Sequence, residues 1–375
     1  MQIHTNCRHY RGNIPCFPNK TRGKECPTCD EFDPIGKRIL LVKLGAPGDV
    51  LRTTFLLPGI KRKWRDCELT WLTRENASAL LANLPAVDRV LSVEKEGVIQ
   101  LNGERFNLCL NLDNDPLASS IAGQIRADEV RGYRLDDQGR VVAANREAEP
   151  WLRLALLDRL KKENRRTYQD FMRQIVGLPS EPKDPIQIGL TQDERAGAES
   201  RLRNLGLGGS HPVAFNTGSG DRWKTKRWPT KSFGELAERI QAPSSERILL
   251  LGGPAEDEEN SRLARQEPDR FVYPGVMPLR DFMAVVARCR LLVTADTLAL
   301  HVGLGTGVRT LALFGPTSAP EIEGSDLLLK IEAPVDCTCC YLRACDKEPF
   351  CMDELKPEMA YDALVRHGWI DRETG

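Results

Sequence analysis

The chain has 375 residues, 53 lysines and arginines against 53 aspartates and glutamates, and 41% hydrophobic residues. That length suits two domains with sizeable cores, and the composition excludes a disordered or fibrous chain. Zero net charge argues against a nucleic-acid partner, which calls for a basic excess. No apolar run reaches the ~18 residues of a membrane span, and the start lacks the apolar stretch of a secretory leader, so a cytoplasmic protein is expected.

Residues 1–36 are polar, rich in Cys, Pro and Gly, and without periodicity. From Lys37 an alternation begins. "RILLVKLG" is strand-like and "DVLRTTFLLPGIKRKW" is helical, with a bend expected at Pro58. "CELTWLT" is a strand, "ENASALLANLP" a helix, and "RVLSV" and "FNLCLNLD" are further strands. "PWLRLALLDRLKKENRRTYQDFMRQIV" reads as one helix, and the proline-rich "VGLPSEPKDPIQIGL" as a linker. The alternation then restarts with "PVAFNTGSG", "SFGELAERIQ", "ERILLLGGP", "LRDFMAVVARC", "RLLVTAD", "TLALHVGLGTG" and "RTLALFGPT". Strands alternating with helices predict α/β architecture, with two doubly wound parallel sheets. The expected boundaries are 1–36, 37–183, 184–335 and 336–375.

Ligands of such sheets bind beyond the carboxyl ends of the strands. Four loops fall there: "GAPGD", "NTGSGDRWKTKRWP", "GGPAEDE" and "ADTLALH". Glycines such as Gly218, Gly252 and Gly253, beside Thr217, would let a ligand approach the backbone, and helix N-termini would meet an anion. Asp49 reads either as a helix cap or as a general base at the lip of a cleft. Lys226 and Arg227, in a loop with two tryptophans, read as a solvated turn or as a clamp on a diphosphate. Asp296, Thr297 and His301 read as a cap with a structural histidine or as a phosphate loop.

The stretches "ILLVKLGAPGDVLRTT", "WKTKRWP", "ILLLGGPAEDEE" and "LLVTADTLALHVGLGTGVRTLALFGPT" resemble the heptosyltransferases of glycosyltransferase family 9. The resemblance runs from about residue 37 to about 355. It implies a GT-B fold, two Rossmann-like domains facing across a cleft, here preceded by a small Cys-rich segment. It implies an inverting transfer with no catalytic cofactor. ADP-heptose is the first choice of donor, and a lipid-linked saccharide of the lipopolysaccharide core the first choice of acceptor. The family's base falls on Asp49, its diphosphate lysine on Lys226, and its phosphate loop on Asp296, Thr297 and His301. Leu298-Ala299 stands where the family usually has Gly-Pro. Acceptor binding by analogy falls on Arg52, Lys61 and Arg62, with peripheral contact at the inner membrane face. A protein acceptor, or a non-catalytic nucleotide-sugar-binding scaffold, stays open. An ordinary aspartate is a poor base at neutral pH, so burial in a closed cleft would have to raise the Asp49 carboxyl.

Twelve cysteines fall mostly at the two ends. Cys7, Cys16, Cys26 and Cys29, and separately Cys337, Cys340, Cys345 and Cys351, are expected as ligands of a structural zinc or iron. Unliganded thiols or disulfides are the alternative; some relatives that glycosylate autotransporters carry iron on cysteines. The C-terminal segment is expected to form a helix packing back on the first domain.

Overall fold

The computed structural model describes residues 2–241 and 246–371. Its first sheet is built from β1 (Arg38–Val42), β2 (Glu68–Thr73), β3 (Arg89–Ser92), β4 (Arg105–Asn111), β5 (Arg126–Leu135) and β6 (Val141–Ala143). The strand order is β3-β2-β1-β4-β5-β6, parallel except for the antiparallel β5–β6 pair. The second sheet holds β7 (Val213–Asn216), β8 (Ile248–Leu251), β9 (Phe271–Val272), β10 (Leu291–Ala295), β11 (Arg309–Phe314) and β12 (Leu328–Glu332). Its order, β12-β11-β10-β7-β8-β9, repeats that of the first. The central strands are unbroken apolar runs because helices cover both faces of a parallel sheet; Ile39 through Val42 and Ile248 through Leu251 are all fully buried.

Both halves therefore aim their loops at a shared cleft. Between them runs one apolar layer that joins side chains of both domains, among them Ile39, Leu57, Leu202, Leu249 and Val302. Cys67, Cys109 and Cys289 are buried in the core, as expected of scattered cysteines.

Three sequence expectations change. The chain breaks at Thr54–Phe55, between the helices Pro47–Thr53 and Leu56–Lys63, ahead of Pro58, which the first turn of the second helix tolerates. The long helix expected over 150–176 is three: Glu149–Leu156, Asp158–Glu163 and Tyr168–Val176, the last opened by a Thr167–Asp170 capping box. The C-terminal helix, Pro357–Arg366, packs on the second domain rather than returning to the first. Its Ala360, Tyr361 and Leu364 join the core of Trp228 and Phe233, and the Trp228 indole donates to the Leu355 carbonyl at 2.7 Å. The return to the first domain is made instead by the loop at 321–323. The Tyr168 amide donates to the Glu321 carbonyl at 2.9 Å, and Arg173 pairs with Glu323 at 3.0 Å.

Candidate active site

On the first domain the site begins where β1 ends. Lys43 is buried, and its ammonium donates to the Leu112 carbonyl at 3.0 Å and to Asp113 Oδ1 at 2.5 Å. The other Asp113 oxygen accepts from the Leu44 and Gly45 amides. Burial acts to lower the lysine pKa, but Asp113, Tyr168 and Asp49 outweigh it and raise it. A Cβ on Gly45 would stand 3.3 Å from Asp49 Oδ2 and 3.4 Å from Asp113 Oδ1. The glycine thus leaves room for two carboxylates.

Asp49 is not the helix cap: Ala46 holds that position without a capping side chain. Asp49 stands in the first turn, where a negative charge suits the helix dipole, and pairs with Arg52 at 2.8 Å while keeping 38% of its side chain exposed. Burial acts to raise its carboxyl, yet Arg52, Lys43, His301 and Lys226 together hold it below the usual carboxylate range. Burial does not, on balance, raise it. Arg52 lies over the Tyr168 ring at 3.9 Å, and its buried Nε has no hydrogen-bond partner among the described residues. Tyr168 is held by a 2.6 Å hydrogen bond between its hydroxyl and that of Thr53.

On the second domain, Lys226 donates to the Asp296 carbonyl at 2.9 Å and to its Oδ2 at 3.2 Å. Asp296 follows β10. Burial raises its carboxyl, but Lys226 first, then His301, hold it low. Thr297 caps the helix Leu298–Gly305, accepting from the Ala299 amide at 3.2 Å. His301 is buried, and burial with Arg52 pushes its pKa down to about 4.

The glycine loops behave differently from expectation. A Cβ on Gly218 would meet Glu256 Oε2 at 2.4 Å, and one on Gly252 would meet Glu256 Cβ at 2.9 Å. These glycines make room for the protein's own buried carboxylate. Glu256 in turn pairs with Arg227 and accepts from the Gly253 amide at 3.0 Å. Thr217 is buried and donates to Asn260 at 2.8 Å.

The two half-sites meet. A Cβ on Gly48 would stand 3.2 Å from His301 Cδ2 and 3.4 Å from the Leu298 Cα. Asp49, Lys226 and His301 share an electrostatic field, as do Arg52, Glu321 and Asp296. Sequence reasoning missed Lys43, Asp113, Tyr168, Glu256 and Glu321. Lys43 carried one signal, a charge directly after four buried strand residues. Glu321 is buried, and burial raises its carboxyl beside Tyr341.

Lys61 and Arg62 are not brought to this cluster, which corrects their expected acceptor role. Lys61 donates to the Cys67 carbonyl at 2.8 Å and to Asp88 at 3.0 Å. Both partners precede strands, at the amino ends of the sheet, where Arg8 of the N-terminal segment also binds Asp88. Arg62 pairs with Asp184 of the linker at 2.5 Å.

The expected metal sites also need correction. All twelve cysteines are free thiols, and among the described residues no group of three or more His, Cys, Asp or Glu is arranged to hold a metal ion. At the N-terminus the backbone separates the thiols' settings: Cys7 bridges Pro34, Cys16 precedes the helix Phe17–Arg22, and Cys26 opens a 3-10 turn. Cys337, Cys340, Cys345 and Cys351 do line one small cavity.

Two like-ordered Rossmann domains with a charged cluster between their strand ends make a GT-B fold. The model of "Glycosyltransferase family 9 (heptosyltransferase)" matches residues 100–332, and the chain belongs to that family. It is 28% identical over 335 residues to lipopolysaccharide heptosyltransferase 1 of Pseudomonas aeruginosa, covering 83% of this chain and 88% of that one. Among solved structures it is similar to a family 9 glycosyltransferase of Veillonella parvula, with TM-score 0.68, 20% identity, and 90% and 98% of the two chains covered. It is also similar to the E. coli heptosyltransferase WaaC with ADP, with TM-score 0.60, 17% identity, and 88% and 98% covered. No helix among the described residues is long and apolar enough to cross a membrane.

Proposed function

We propose that the protein transfers a sugar, with ADP-heptose the foremost donor, to a lipid-linked saccharide acceptor of the lipopolysaccharide core, with inversion at the anomeric carbon. The observation that carries this reading is the meeting of Asp49 with Lys226 and His301 across the domain contact. The curated Pseudomonas relative supports the acceptor, and the ADP-bound neighbour supports the nucleotide.

In the reaction an acceptor oxygen bonds to the anomeric carbon, the bond from that carbon to the diphosphate oxygen breaks, and ADP leaves with the electron pair. Lys226 is set to exchange Asp296 for the diphosphate and stabilise its growing charge. Asp49 takes the acceptor proton. Its low pKa suits this order of events: the hydroxyl becomes strongly acidic only as it bonds to an oxocarbenium-like centre, so an ionised, weak base suffices late in the step. A bound diphosphate also cancels part of the Lys226 field that holds Asp49 down, so the base strengthens when donor is present.

The test is transfer of labelled sugar from ADP-heptose to a core acceptor, alongside thermal shifts with ADP, UDP and GDP. Stabilisation by UDP or GDP alone would overturn the donor. Label appearing only on protein would favour a protein acceptor, and a nucleotide shift with no transfer to any acceptor would favour a scaffold.

A further inference from the structure

The helix Glu149–Leu156 packs Trp151, Leu152 and Leu154 against the core, but its C-terminal end and the helix Asp158–Glu163 hold no fully buried residue. A surface helix ordinarily gains its stability by burying an apolar face. Here the corner between the two helices carries two exposed leucines, Leu156 at 70% and Leu157 at 48%. Arg153 lies one turn before Leu156 on the same face of the helix, and is exposed. Scattered exposed leucines need no explanation; two adjacent ones at a protruding corner ringed by cations do.

Residues 149–166 hold six cations and three acids, in a chain whose net charge is zero. Two of the acids are already matched, Asp158 by Lys161 and Glu163 by Arg159. Lys162 and Arg165 are exposed as well. An open groove of about 500 Å³ runs beside the corner, lined by Leu154, Leu160 and Phe171, by Arg146, Arg153 and Arg166, and by the acids Glu149 and Glu163. Apolar tips set among cations fit an interface with acyl chains below and anionic head groups above.

The segment leads along the chain to the active site. Asp158–Glu163 leads within a few residues to Tyr168, which carries Arg52 and thus Asp49. Lys161 also lies over the ring of Tyr341 at 4.8 Å, and Tyr341 faces Glu321 within the cluster.

We propose that this corner is a membrane-docking surface for a bilayer rich in anionic lipid, seating the enzyme so that a lipid-anchored acceptor meets Asp49 from the bilayer side. Its link to the acceptor rests on the transfer reading above; the docking itself does not.

The experiment is co-sedimentation of the full chain with vesicles of phosphatidylcholine alone and of phosphatidylcholine with phosphatidylglycerol. Binding is expected to the anionic vesicles and to weaken in high salt. The double variant Leu156→Ser/Leu157→Ser is expected to bind about tenfold more weakly, and Arg153→Glu/Lys162→Glu at least as weakly. All four side chains are exposed, so the melting temperature should hold, and transfer to a water-soluble acceptor should be unchanged in both variants. Absence of binding by the unaltered chain overturns the proposal, and so does binding that neither variant weakens. A dimer that dissociates in the leucine variant, without vesicle binding, would instead assign the surface to a second copy. None of these outcomes uses the transfer reaction, so a failed docking test leaves that reading standing.

Discussion

Gly48 of the first domain packs directly on Leu298 of the second. A Cβ at Gly48 would lie 3.4 Å from the Leu298 Cα and 3.5 Å from its amide nitrogen. The family usually has glycine at the Leu298 position, and here the glycine across the contact allows the close approach. Gly48→Ala should separate the two signs usually coupled. In the helix, alanine is favoured over glycine by up to about 1 kcal/mol, so the melting temperature should hold or rise. The new methyl must displace His301 or the opposite helix by a few tenths of an ångström, so kcat/KM should fall about tenfold. Loss of stability with unchanged kinetics would refute this account.

Asp49→Asn keeps the shape of the side chain and removes the base. Turnover should fall about 10²–10⁴-fold, with ADP affinity changed far less. An equal loss in both would place Asp49 in donor binding instead.

Lys226→Ala removes the cation expected to meet the diphosphate. ADP should bind about 10–100-fold more weakly by calorimetry. If Asp296 is the only partner Lys226 ever has, ADP affinity will not move and only the melting temperature will fall.

His301 gives the enzyme an acid-side weakness. Its ordinary pKa of 6.5 is pushed to about 4 in the fold. Between these values the unfolded chain takes up a proton that the folded chain refuses. Stability should therefore decline as pH falls through that window, by up to about 3 kcal/mol from this residue. Asp49 and Asp296, held low, add their own losses only further down. Denaturant midpoints across the window should fall less in His301→Asn than in the unaltered protein.

Much of this was legible in one dimension. The central strands of both sheets followed from apolar runs, because a buried parallel strand must be apolar on both faces; the edge strands Arg126–Leu135, Val141–Ala143, Phe271–Val272 and Leu328–Glu332 did not. Asp49, Lys226, Asp296 and His301 were legible because each follows a strand end, and a doubly wound sheet gathers its strand ends on one side. Local periodicity did not reveal the breaks in the segment 150–176, since a capping box at Thr167–Asp170 starts a new helix within an otherwise helical pattern.

Partners were another matter. Lys43 pairs with Asp113, 70 residues away, and Gly218 and Gly252 leave room for Glu256. Lys61 looked like an acceptor contact until the fold placed it at the amino ends of the sheet beside Asp88. The sequence by itself determined the central strands, their order and the residues at their ends, because these depend on near neighbours along the chain. The tertiary structure alone decided which charges meet and whether Asp49 would be raised or lowered. Those outcomes depend on Arg52, Lys43, His301 and Lys226 converging on one carboxylate from two domains, and Coulomb interaction falls off with distance in space, not along the chain.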